Sequence, residues 1–225
     1  MPLPMVHLAV AVRLVVAREP TGSPESADTP ESTDSAEFYL GSIAPDAIHT
    51  RDGAGRSEKL DTHFAHGYPR QYDLGALGAM LAEHRVGGEL VSFAEGYAAH
   101  VLTDRLWQDT LVAAFRQRMQ REGAELDLRA LYYRDCDKLD FHLYDTSPWR
   151  TVVWGYLSAA AVRDFPPLLT ASEIAAWRDR VLGWFDQNPA MRLHEATQIS
   201  SSEVEAFIHR AAGEVAGQMR EWRRG

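Results

Sequence analysis

An all-α fold, a single-domain multi-helix bundle, is what this sequence predicts, and three observations carry that expectation. Apolar residues recur at helical spacing through several long segments, and no run alternates polar and apolar residues as strands do. Two segments open with capping-box patterns, TASE at Thr170–Glu173 and SSSE at Ser200–Glu203. The chain has 225 residues, 45% of them hydrophobic and 10% aromatic, enough to bury one full core as one domain over 1–225.

The elements follow in order. A first helix is expected from Pro4 to about Arg18, because Met5 to Val12 is apolar apart from His7. The segment has no basic stretch before the apolar run, no convincing small-residue cleavage site, and Arg13 within it, so it reads as a buried helix and not as a signal peptide. Residues 19–37 are rich in Pro, Ser, Thr and acids without an aromatic or branched aliphatic side chain, and are expected to form a disordered acidic loop. FYLGSIAPDAIHTR, punctuated by Gly and Pro, reads as a compact irregular connection, and DGAGRSEKLDTHFAHGYPR as a polar loop. A short helix is expected over 74–85 and a long central one over 88–122, closed by Gly123. Further helices are expected over 127–144, 148–163, 171–186 and 201–223.

Charge and cysteine usage narrow the function classes. Lys and Arg number 23 against 32 Asp and Glu, a net charge of −9, but six of the acids lie between 19 and 37, where no Lys or Arg occurs. A mildly acidic surface remains, and duplex nucleic acid is not an expected partner. Cys136 is the only cysteine, so an internal disulfide is impossible and a reducing cytoplasm is the expected location. No segment offers about eighteen uninterrupted apolar residues, so no transmembrane segment is expected.

The chemistry-bearing residues begin with EGYAAHVLTDRLW, Glu95 to Trp107. One stripe of the central helix runs Phe93, Tyr97, His100, Asp104, Trp107, Leu111, so His100 and Asp104 enter the core with large apolar neighbours. A buried carboxylate must be compensated. Two side chains one turn apart on one face suit a shared metal ion, or Asp104 accepts a hydrogen bond from the imidazole and the pair is structural. The bare His-x-x-x-Asp spacing arises by chance about 0.6 times in a chain of this composition, so its placement is the evidence, not the pattern. His7 reads alone as a satisfied core histidine, Asp46 in GSIAPDAI as a turn-forming acid, and His63 in KLDTHF as a loop histidine. One metal site would account for all five residues.

In that order MVHLAVA, FYLGSIAPDAI, KLDTHF and GYAAHVLTDRLW resemble the zinc-dependent phospholipase C family, specifically its shorter bacterial branch, over about residues 5–110, with a weaker continuation through LYYRDCDKLDFHLYD. The resemblance implies an all-helical zinc-binding fold. It also implies that His7, Asp46, His63, His100 and Asp104 bind metal, with Asp46 acting as ligand or as the base that orients a water. Secreted members of the family carry a further His, His and Glu set, whereas here only His142, His194 and His209 follow Asp104. One or two ions are therefore expected, with His142 the reserve ligand.

Imidazole and carboxylate ligands suit zinc, with iron or manganese as the other candidates. The expected activity is metal-dependent hydrolysis of a phosphoric ester, whether phospholipid, nucleotide or small phosphoester. His49 and His66 are expected at the mouth of the site, with Tyr97 and Trp107 as its walls. A His-Asp phosphohydrolase would show an adjacent His-Asp dipeptide, and none occurs. The competing expectation is a non-catalytic helical binding protein with a structural metal. Cys136, flanked by Asp135 and Asp137, is a poor thiolate, and Ser200–Ser202 are a cap without a glycine elbow.

Overall fold

The computed structural model describes residues 3–17, 33–67, 69–86, 89–122, 127–193 and 195–224. Among them the protein is all-α, with α1 Pro4–Val16, α2 Thr33–Gly41, α3 Arg56–Asp61, α4 Leu74–Glu83, α5 Ser92–Trp107, α6 Ala113–Glu122, α7 Leu128–Thr146, α8 Arg150–Ala159, α9 Ala171–Gln187 and α10 Ser201–Arg224. Two short 3-10 segments, Ala44–Thr50 and Pro189–Leu193, and a π-helical one, Gln108–Val112, complete the helical part of the described residues. Two-residue antiparallel ribbons join β1 Ala65–His66 to β2 Gln71–Tyr72 and β3 Arg85–Val86 to β4 Glu89–Leu90.

Several boundaries differ from the sequence expectation. The acidic stretch does not reach residue 37, because Thr33–Gly41 is a helix whose residues Phe38, Tyr39 and Leu40 are buried; residues 18–32 lie outside the described residues. The connection after it is a single 3-10 turn seeded by Pro45. The central helix starts at Ser92, since Arg85–Val86 and Glu89–Leu90 pair as a ribbon before it, and its length divides into α5, a π-helical segment Gln108–Val112, and α6. α8 stops at Ala159, short of the expected 163, before Pro166 and Pro167.

α1 is buried nearly all round, from Met5 to Ala11 and at Leu14. Leu3, its N-cap residue, has no side chain able to accept from the free backbone N–H groups, and the acceptor comes instead from α7: Met5 N–H donates to Asp140 Oδ1 at 2.9 Å. Burial pushes the Asp140 carboxyl well above its usual range. A second buried acid of α7, Asp135, accepts from the backbone N–H groups of Thr197, Gln198 and Ile199, pinning the approach to α10. α10 returns along α1 and α5, and Arg223 closes the bundle by pairing with the buried Glu95 at 2.6 Å.

α2 and α5 touch through their backbones. A Cβ at Gly96 would lie 2.1 Å from the Phe38 carbonyl oxygen, and one at Gly41 would lie 2.1 Å from that of Phe93. Only glycine permits this approach, which sets the chain after α2 directly over His100.

Candidate metal centre

Four segments deliver the five residues. His7 projects from α1, Asp46 from the turn after α2, His63 from the loop after α3, and His100 with Asp104 from successive turns of α5. All five are buried, none more than 5% exposed. The stripe on α5 is buried except at Phe93, which is half-buried.

Hydrogen bonds outside the cluster orient the imidazoles. His100 Nδ1 lies 2.9 Å from the Ser42 carbonyl oxygen, and His63 Nδ1 lies 2.9 Å from that of Lys59. A carbonyl only accepts, so each Nδ1 carries the proton and each Nε2 presents a lone pair. The loop holding His63 is itself fixed by Tyr97, whose hydroxyl donates to the Thr62 carbonyl at 2.6 Å. His7 stacks flat on His100, ring centroids 3.7 Å apart and planes 7° from parallel.

The atoms that converge are acceptors, apart from the one His7 nitrogen that carries the ring proton. Asp46 Oδ1, His63 Nε2, His100 Nε2, both Asp104 oxygens and both His7 nitrogens are buried without a hydrogen-bond partner among the described residues. Such orphans are costly, and a group of facing lone pairs is satisfied by a cation, by protons or by ordered water, not by an apolar filling. His63 Nε2 lies 3.4 Å from Asp46 Oδ1 and 3.5 Å from Asp104 Oδ2, while His7 Nε2 lies 3.5 Å from Asp104 Oδ1. Ligands about 2.0–2.1 Å from a tetrahedral ion stand about 3.3–3.4 Å from one another, so the spacing fits such a shell.

Two overlapping groups could hold an ion: His7, His100 and Asp104, and Asp46, His63 and His100. They share His100, which has one nitrogen to give because its Nδ1 is committed to Ser42. Asp104 faces His7 with one oxygen and His63 with the other. That arrangement accommodates a single ion or a carboxylate-bridged pair.

Burial holds His7 and His100 below the usual imidazole range. Burial also pushes Asp46 up, but the surrounding imidazoles of His49, His63 and His100 outweigh it and hold the carboxyl well below its usual range. Neutral imidazoles beside an ionised carboxylate are the protonation states that metal ligation requires.

A cleft of about 640 Å3 opens from the centre, floored by His63 and Asp104 and walled by Trp107, Phe115, Tyr132 and Tyr133. Trp107 thus takes its expected place, its indole N–H donating to Tyr132 Oη at 2.7 Å. Tyr97 does not; it lies behind the centre and supports Thr62. His49 lines the cleft 3.6 Å from Asp46 Oδ1. His66 is exposed on β1 and is not among the lining residues. His142 sits half-buried on α7 and joins neither ligand group; His194 lies outside the described residues.

Sequence reasoning missed Arg70, whose guanidinium reaches within 3.6 Å of Asp104 Oδ2 from the ribbon loop between β1 and β2. Its only signal was proximity in sequence to His63. The carbonyls of Ser42 and Lys59, which set the two tautomers, carry no side-chain signal at all. Comparison of the chain with protein families, with curated proteins and with solved structures finds no match.

Proposed function

We propose that the protein is a metal-dependent hydrolase of phosphoric esters, with zinc as the resident ion and iron or manganese as the other ions the donor set suits. The observation that carries this reading is the set of buried, partnerless acceptors, of which those of His63 and Asp104 border an open cleft. A divalent ion held by His7, His63, His100, Asp46 and Asp104 would acidify a bound water towards neutrality and offset charge on the phosphoryl oxygens.

The chain's own residues do the rest. Asp46 is held in its ionised form, and its Oδ1, uncommitted to any donor, lies 3.6 Å from Nε2 of the partly exposed His49. His49 in turn faces the cleft and can pass a proton to solvent. Arg70 places a fixed positive charge beside Asp104, where a phosphoryl oxygen would enter. Buried, singly occurring Cys136, its thiol pushed up to about 12 by burial, takes no part in chemistry and accords with a reducing cytoplasm. No helix among the described residues is long and apolar enough to cross a membrane.

The openness of the cleft favours catalysis over the structural-metal alternative, since structural sites are closed by protein ligands. The test is elemental analysis by mass spectrometry on protein purified without affinity tag or chelator, paired with hydrolysis of bis(p-nitrophenyl) phosphate. About one or two equivalents of metal in the wild type, lost in Asp104→Ala together with turnover, is the expected result. Metal retention with no turnover on any phosphoester would leave the structural role standing, and a chain that takes up no metal at all would end the hydrolase reading.

A further inference from the structure

The cleft outside the metal centre has a charge that the centre does not explain. Arg56, Lys59, Arg70, Arg116 and Arg129 line it, and among the described residues Asp104 is the only carboxylate of the lining. This concentration of cations stands in a chain of net charge −9. Asp46 and Asp104 together offset one divalent ion, and Arg70 beside Asp104 suffices for the single charge of a phosphodiester. Arg116 on α6 and Arg129 on α7 are then surplus to the reacting group. Both are exposed, and no ion pair joins either to a described carboxylate. The cleft wall beside them carries Leu128 and Tyr133, 41% and 39% exposed, two of the three exposed large apolar side chains among the described residues. Arg129 lies over the Tyr133 ring, its guanidinium carbon 5.8 Å from the centroid, so cation and exposed apolar surface adjoin on one concave wall and select a ligand that is anionic and has an apolar body.

We infer that this wall is a second phosphate subsite centred on Arg116 and Arg129, so that the substrate is an ester carrying a further, unreacted phosphate, its body lying against Leu128 and Tyr133. The inference rests on the hydrolase reading above and adds the substrate class. Guanidinium groups suit the role because their fixed fork matches phosphate oxygens, and a cleft with low-dielectric walls strengthens the attraction. Hydrolysis at the metal centre would release a product that keeps the second phosphate.

The test is titration calorimetry on the zinc-loaded full chain with two probes, propylphosphonate and a bisphosphonate with a three-carbon spacer. The bisphosphonate should bind at least about tenfold tighter, as expected when charge-assisted hydrogen bonds are added. In the Arg116→Gln/Arg129→Gln double variant that advantage should shrink to about twofold with metal content unchanged, and in the wild type it should fall with rising salt. Equal binding of the two probes by protein that holds its metal would overturn the subsite and leave the hydrolase reading intact. Failure to hold metal would overturn the hydrolase reading first. Arginine-dependent binding to phosphatidylserine vesicles without any preference for the bisphosphonate would make the wall a membrane-contact surface instead.

Discussion

At the scale of the residue, His63 and His100 commit their Nδ1 protons to backbone carbonyls and so turn two lone pairs towards Asp46 and Asp104. Facing acceptors repel when nothing lies between them, and the sign of a mutation at Asp104 should therefore depend on metal. Asp104→Asn offers amide protons to His63 Nε2 and removes a buried charge, so in metal-free protein it should raise stability by about 1–3 kcal/mol. In metal-loaded protein the same change should lower the melting temperature and release the ion. Thermal melts with and without added zinc check both directions; the same sign in both states would mean that the acceptors are satisfied without a cation. His100 and Asp104 stand out in sequence because they enter a core-facing helical stripe, whereas His7, Asp46 and His63 read singly as ordinary core, turn and loop residues and join them only through the resemblance of their segments to a metal-binding family. Arg70 does not stand out, since a loop arginine after a glycine and proline looks like any solvated cation.

At the scale of the element, the contact between α2 and α5 decides where the Ser42 carbonyl meets His100. Gly96→Ala would drive a methyl into the Phe38 carbonyl, a backbone atom that cannot move without separating the helices. A loss of about 3 kcal/mol or more is expected, together with weaker metal retention. Gly155→Ala on α8, where an added Cβ meets nothing within 4 Å, is the control and should stabilise by about 0.5–1 kcal/mol. Urea denaturation compares the pair, and equal effects would show that the helices tolerate separation. The π-helical segment Gln108–Val112 belongs to the same scale. It lies one turn past Asp104, and Gln108 from it donates to the Arg70 carbonyl at 2.6 Å, tying the loop that carries Arg70 to the helix that carries the ligand. Nothing in the periodicity of the apolar residues signals this change of winding.

At the scale of the whole molecule, an ion held at this candidate centre would make binding and folding one equilibrium, because the five residues come from four separate segments. Free metal at 100 times its dissociation constant should add about 2.7 kcal/mol, or roughly 5–10 °C in a domain of this size. The pH dependence has a definite sign. Burial lowers the folded-state pKa of His7 and His100 below 6.5, so the unfolded chain binds protons that the folded one refuses. Their contribution to metal-free stability is present above about pH 6.5 and is lost as pH falls below it, by up to about 1.4 kcal/mol per pH unit for each histidine. Asp46, held low in the folded state, adds a further loss below its ordinary value of 3.8. Melting curves between pH 8 and pH 4 on chelator-treated protein test this, and a melting temperature flat from pH 7 to pH 5 would contradict it.

The sequence by itself determined the helical class, most helix cores and the burial of His100 with Asp104, because those depend on local periodicity, on caps and on polar residues set in an apolar stripe. Helix α2 escaped it, since Thr33–Glu37 are compositionally indistinguishable from the acidic stretch before them and gain order only through packing Phe38, Tyr39 and Leu40 on α5. Only the tertiary structure decided that the five residues meet, which nitrogen each imidazole of His63 and His100 presents, and that Tyr97 braces the centre from behind while Arg70, Arg116 and Arg129 face the cleft. The physical reason is range. Helix formation is settled within a few residues, whereas ligand geometry and cleft charge are sums over segments distant in sequence that burial alone brings together.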